Sequence, residues 1–195
     1  MHLEVFTTLR ILNGKLLFLN EHLKRLQNHA HLACIAVPDI KLPKNLPNNC
    51  LLRIAINNTG CHFSSRPFQE PPQKEVCVYI SDQNAHTQLK TTERCVYDEA
   101  LRQAKEQGAF EGLLLNKDGY LVDGSRSSLF MIYENTFTIF EGGIEGITRQ
   151  QEILKAQKQG LHIQRAFIKP HEIRGQLYIA GTGLGTVKAY LARSV

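Results

Sequence analysis

The sequence predicts an α+β fold. Strand-like segments outnumber helical ones, turn signals join several of them into hairpins, and the helical segments come singly. A doubly wound parallel sheet would instead alternate strand and helix. The composition suits such a fold. The chain has 195 residues, 43% hydrophobic and 21% charged, which excludes a disordered, collagenous or coiled-coil protein.

The elements follow in order. Residues 3–11 are rich in β-branched and aromatic types and read as a strand. Asn13-Gly14 then signals a tight hairpin turn into a short strand, Lys15-Leu16-Leu17-Phe18. Asn20 is a candidate cap for a helix over 21–34, with Leu23, Leu26, Ala30 and Ala33 as its buried stripe. Three prolines make 37–49 a loop. Strands are expected at 51–58, ending in the turn Asn58-Thr59-Gly60, and at 75–81. The polar stretch 83–89 reads as a linker, which places a small domain over 1–82 and a larger one over 90–195.

A helix over 92–107 is expected to end at Gly108. Strands at 110–116 and 120–123 flank the turn Lys117-Asp118-Gly119. Residues 128–135 and 136–140 read as two more, the second a candidate hairpin partner of the first. Thr148 and Gln151 form a capping-box pattern for a helix ending at Gly160. Strands at 161–169, 176–182 and 186–191 complete the chain, with a short helical turn from Pro170.

Several function classes are excluded. The longest apolar runs fall far short of the roughly 18 residues of a membrane span, and the start lacks the apolar core of a signal peptide. A cytoplasmic protein is therefore expected. The net charge is 23 − 18 = +5, but the basic residues form no stripe for nucleic acid. Five scattered cysteines, without C-x-x-C, read as reduced and mostly buried thiols. His29 and His31 read as helix-surface residues, and no metal site is expected. Gly181-Thr182-Gly183-Leu184-Gly185 mimics part of a dinucleotide fingerprint. Only ten residues follow Gly185, too few for the rest of that unit.

Two glycine-punctuated segments suit an anion. Residues 142–148 run straight into a helix whose first N–H groups, with the Thr148 hydroxyl, could hold a phosphate. The turn at 181–186 presents backbone N–H groups in the same way. Taken alone, both read as tight turns, Lys90 as a solvent-exposed residue, Asp123 as a turn former and Arg25 as a solvated helix residue.

Taken in order, these segments resemble the class IV aminotransferases, the fold-type-IV pyridoxal-phosphate (PLP) enzymes. The resemblance runs through LEVFTTLRILNGKLLFLNEHLKRL, LKTTER, EGLLLNKDGYLVDGSRSSLFMI, GIEGITRQQEIL and LYIAGTG, nearly the whole chain. It implies two small α/β domains with mixed and antiparallel sheets, as in D-amino-acid aminotransferase, and a homodimer with its active site between the domains. It implies Lys90 as the catalytic lysine that bonds the cofactor aldehyde, Arg25 on the cofactor phosphate, and Ile147 and Thr148 as a phosphate cup. Thr182 and Gly183 match the turn at phosphate and substrate carboxylate, and Asp123 the acid that pairs with the pyridine nitrogen.

K-T-x-x-R after Lys90 is similar to the 4-amino-4-deoxychorismate lyases, where the aminotransferases often carry tyrosine at the place of Cys95. The resemblance thus implies formation of 4-aminobenzoate and pyruvate, a step of folate biosynthesis, from a small anionic amine. Arg94 and Arg126 are candidates for its carboxylates by position. An aminotransferase of branched-chain or D-amino acids and a catalytically degraded PLP binder stay open. The chain has Asp123 where the family usually has glutamate and Ser128 where it tends to have asparagine. It also begins almost at the first strand, without the usual leading segment.

Overall fold

The computed structural model describes residues 3–72, 74–85 and 88–192. These residues form twelve strands, arranged in two sheets, and three α-helices. The chain divides into two compact units, Met1–Glu70 with Leu89–Glu93, and Pro71–Gln88 with Arg94–Val195.

The first unit is an antiparallel sheet with one helix. Strand β1 (Val5–Leu12) turns through Asn13 and Gly14, both at positive φ, into β2 (Lys15–Leu16). That conformation is what a two-residue hairpin demands, and the Asn-Gly pair accepts it. Helix α1 (Leu19–Leu32) follows, then β3 (Cys50–Asn57) and β4 (Gly60–Pro67), in the sheet order β2-β1-β3-β4. Period-2 alternation puts Val5, Thr7, Leu9 and Ile11 on one face of β1, all buried. Leu26 and Ala30 of α1 pack with Val5, Leu9, Ile11, Ile54 and Ile56 in one core.

The second unit is built on an eight-stranded sheet. Its strands are β5 (Val76–Asn84), β6 (Glu111–Leu115), β7 (Leu121–Gly124), β8 (Ser128–Tyr133), β9 (Thr136–Phe140), β10 (His162–Ala166), β11 (Gln176–Gly181) and β12 (Gly185–Leu191). The order is β10-β9-β8-β11-β12-β5-β6-β7. Hairpins run antiparallel, while β10–β9, β12–β5 and β5–β6 are parallel. Parallel neighbours need a crossover. Helix α2 (Cys95–Glu106) lies between β5 and β6, and α3 (Ile147–Lys158) between β9 and β10.

The α+β expectation and the β8–β9 hairpin agree with this architecture. Several details differ. The expected border at 83–89 lies elsewhere: β5 pairs with β6 and β12, so the larger unit takes over at Pro71. Residues 89–93, with Lys90, belong to the first unit, where Thr91 bridges to Val5. That pairing also delays α2 to Cys95. Two linker positions, 86 and 87, lie outside the described residues.

Asn20 does not cap α1. Phe18 occupies the N-cap in the left-handed region, with no side-chain bond. Thr148 likewise sits inside α3, whose N-cap is Gly146. Strand β4 goes beyond the sequence expectation, because its Ser-Ser-Arg stretch is exposed. The cysteines are not mostly buried: Cys50 is, Cys61 and Cys77 are half-buried, and Cys34 and Cys95 are exposed. Burial also pushes the Cys50 thiol up. A thiol reagent is therefore expected to label Cys34 and Cys95 first and Cys50 last, read by peptide mass. Labelling of Cys50 as fast as Cys95 would contradict this packing.

Candidate active site

In the first unit the candidate side chains gather where α1 crosses β1. Thr7 points to the helix face of β1 and is fully buried. Arg25 Nη2 donates to Thr7 Oγ1 at 3.0 Å, and His22 Nδ1 lies 2.7 Å from the same oxygen. Because the hydroxyl already accepts from Arg25, its own proton is available to His22. Burial, Arg25 and Lys90 hold His22 down at about 3, so the imidazole stays neutral.

Lys90 sits on the neighbouring segment. Its amide N–H donates to His29 Nδ1 at 2.9 Å, and its carbonyl accepts from Phe6 N–H at 2.9 Å. Lys90 Nζ is 5.0 Å from the Phe6 ring centroid. Burial, Arg25 and Lys90 also hold His29 low, at about 4. Lys90 and Arg25 thus belong to one positively charged cluster. The surface reading holds for His31, which is exposed, but not for His29, which is buried with His22 on the stripe of Leu26 and Ala30. Their spacing, 22-26-29-30, is the signal that could have revealed them.

In the second unit the candidates converge at one end of β8 and β11. Asp123, on β7, is 2% exposed, and its Oδ2 accepts from Ile144 N–H at 2.7 Å. The 142–146 loop lies against it. A Cβ at Gly143 would overlap Val122 O and fall 2.9 Å from Asp123 Cγ. One at Gly146 would overlap Ser128 Oγ, and that hydroxyl donates to Ile144 O at 3.2 Å. Ser128 pairs with Ala180, which leads into the turn carrying Thr182 and Gly183.

The start of α3 has no side-chain cap and no acidic residue in its first turn. Its first internal bond is from Gln150 N–H to Gly146 O. The N–H groups of Ile147 and Thr148 therefore have no acceptor within the helix, and the helix dipole adds positive potential there. Arg149, two residues in, is buried with Nη1 donating to Leu129 O at 3.1 Å and Phe140 O at 3.3 Å.

Beside these lies the 124–127 turn. Arg94 Nη2 donates to Ser125 O at 2.6 Å. Arg126 is exposed, with Nη2 on Phe110 O at 2.8 Å and its guanidinium 5.0 Å from the Phe110 ring. Glu111, unremarked in the sequence, is fully buried beneath this turn. Its Oε1 accepts from Arg126 N–H at 2.5 Å and Ser127 Oγ at 3.0 Å. The segment at 181–186 is a tight turn between antiparallel β11 and β12, as the shortened fingerprint implied. Among the described residues no group of three or more His, Cys, Asp or Glu could hold a metal ion. No helix of the described residues is long and apolar enough to cross a membrane.

The sequence profile of class IV amino-transferases matches residues 4–189. The chain belongs to the class IV aminotransferase family. It is thus a member of an enzyme family of aminotransferases and lyases. One solved structure, described as a putative 4-amino-4-deoxychorismate lyase, is 34% identical with a TM-score of 0.88, over 95% of this chain and 83% of that one. A Legionella pneumophila protein with the same description is 18% identical, with a TM-score of 0.86 over 96% and 82% of the two chains. The T.th. branched-chain amino acid aminotransferase, solved with pyridoxamine 5'-phosphate, is 20% identical, with a TM-score of 0.83 over 96% and 76%. These last two speak to the fold alone. No curated protein sequence matches the chain.

Proposed function

We propose that this class IV member is a PLP-dependent lyase that converts 4-amino-4-deoxychorismate to 4-aminobenzoate and pyruvate. The observation that carries this choice is the 34% identity, over 95% of the chain, to a protein described as a putative 4-amino-4-deoxychorismate lyase. The residues fit the cofactor. The uncapped N–H groups of Ile147 and Thr148 suit a phosphate dianion, as does the Arg25 fork. Asp123 is a buried carboxyl of the kind that keeps a pyridine nitrogen protonated. Gly143 leaves the loop free to lie against it.

Bound there, PLP supplies an electron sink for negative charge at the substrate α-carbon. The chain's own residues do the rest. Arg25, Ile147, Thr148 and Thr182 would hold the phosphate. Lys90 would hold the cofactor aldehyde, and its Nζ would serve as the general base for the α-proton. Gly183, with the positive charge of Arg94 and Arg126, receives the substrate carboxylates. Loss of pyruvate leaves an aromatic ring, which drives the reaction forward. A homodimer in the cytoplasm, serving folate synthesis, completes the reading.

The test uses purified protein with PLP. A visible absorbance band is expected, and Lys90→Ala should abolish the band and lower turnover by about 10³-fold or more. Aminodeoxychorismate should yield 4-aminobenzoate and pyruvate. Glutamate from amino acids and 2-oxoglutarate, with no 4-aminobenzoate, would replace the lyase by an aminotransferase. Tight PLP binding with neither activity would mark a degraded binder, and a colourless protein would remove the cofactor.

A further inference from the structure

Lys90 lies on a five-residue return to the first unit, in neither a named strand nor a helix. A lysine on such a segment has a mobile backbone unless something holds it. Here its peptide is gripped from both sides. The carbonyl takes Phe6 N–H, and Thr92 N–H donates to Glu4 O at 2.9 Å, an extension of the β1 ladder. Glu4 N–H in turn donates to Thr92 Oγ1 at 3.1 Å. All of these are pairings with β1 or with Glu4 just before it. The amide of Lys90 itself is taken by a side chain from another element, His29 of α1.

An amide N–H can only donate, so Nδ1 of His29 must carry its lone pair and the ring proton must sit on Nε2. Burial and the charges of Arg25 and Lys90 keep the ring in that neutral form. His29 is 8% exposed and lies on the helix stripe whose other members pack into the core, so its ring has little freedom. The imidazole thus acts as a fixed acceptor anchored to α1.

We propose that His29 is a positioning residue that fixes the Lys90 peptide, and so the origin of the lysine side chain. The proposal rests on the reading of Lys90 as the cofactor-bonding lysine. It deepens that reading, since it assigns the lysine's orientation to a residue outside the phosphate and ring-nitrogen contacts.

The experiment compares wild type, His29→Asn and His29→Leu. Asparagine keeps an acceptor at the δ position, whereas leucine fills the space without one. Amide exchange at Lys90 is read by mass spectrometry of the peptide that carries it. Separately, PLP is added to each apoprotein, and the borohydride-reduced adduct at Lys90 is followed over time. Non-covalent PLP binding is followed by fluorescence quenching.

Slow exchange in wild type, at least about tenfold below an exposed amide, is expected. The leucine variant should exchange faster and form the adduct about tenfold to a hundredfold more slowly, with its non-covalent binding little changed. The asparagine variant should recover most of both. A merely structural histidine would lower non-covalent binding and adduct formation together, which overturns the proposal. So does an unchanged adduct rate in the leucine variant, or wild-type exchange as fast as an exposed amide. If wild type forms no adduct, the functional reading fails, and the exchange data alone decide whether His29 holds Lys90. If the leucine variant does not fold, the wild-type and asparagine measurements decide.

Discussion

Lowering the pH from 7 to about 4.5 is expected to remove about 5 kcal/mol of folding stability through two buried histidines of the first unit. Burial first, then the charges of Arg25 and Lys90, hold His22 at about 3 and His29 at about 4, against 6.5 in the unfolded chain. Below pH 6.5 the unfolded chain binds protons that the folded chain refuses. Stability therefore falls as the pH drops through that window, and stops falling only near the folded values. At pH 4.5 each histidine sits about two pH units below its unfolded value, which is roughly 2 to 3 kcal/mol apiece.

Glu111 works in the opposite sense. Burial raises its carboxyl, so the folded chain gains a proton there as the pH falls. The histidine contribution is isolated by urea unfolding at several pH values, for wild type and for His22→Gln with His29→Asn. The wild-type slope should be steep, and the double variant's slope much flatter. A wild-type protein as stable at pH 4.5 as at pH 7, with no difference between the two slopes, would falsify this account. The same sensitivity bears on the proposed function, because the neutral rings are the ones that meet Thr7 beside Arg25 and the Lys90 amide.

Much of this arrangement is legible in the sequence, where its cause is local. The Asn13-Gly14 hairpin, the β8–β9 hairpin and the three helices are legible from signals within a dozen residues, although neither Asn20 nor Thr148 is the cap of its helix. What the sequence hides is set by distant partners. β5 reads as an isolated strand before a polar linker, yet its neighbours start at Glu111 and Gly185. Its polar end, 83–84, looks like linker because strand pairing, not apolarity, keeps it extended.

Lys90 reads into the wrong unit for a related reason. Nothing local in LKTTER announces that Thr91 pairs with Val5, 86 residues away. Motif order singles out Lys90, Asp123 and Thr148. It cannot find Thr7, which matters only because α1 lies across β1. It misses the buried histidines because polar residues read as facing solvent, although their spacing matches the apolar stripe.

Gly143→Ala is expected to destabilise the second unit by about 3 kcal/mol and to weaken PLP binding by at least about tenfold. The reason is space rather than backbone conformation, since Gly143 is not among the residues at positive φ. The new Cβ would overlap Val122 O, and that oxygen cannot retreat. It lies on β7, fixed by the Leu114–Asp123 pair and by Leu121 N–H on Ile168 O. The loop must move instead. That movement draws Ile144 N–H away from Asp123 Oδ2, and a buried carboxylate that loses a donor is costly. It also shifts Gly146, and with it the N–H groups that open α3.

Gly160→Ala is the control. Gly160 has φ +79° with nothing within 4 Å of an added Cβ, so it incurs only the left-handed strain of about 1 kcal/mol. Urea unfolding of both variants, with PLP titrations, separates the two causes. If Gly143→Ala were no less stable than Gly160→Ala and bound PLP as wild type does, the loop would not depend on contact with β7. The anion cradle would then have to be sought away from 143–148. If the expected loss appears, a single methyl group will have tied the packing against β7 to the chemistry assigned to Asp123, Ile147 and Thr148.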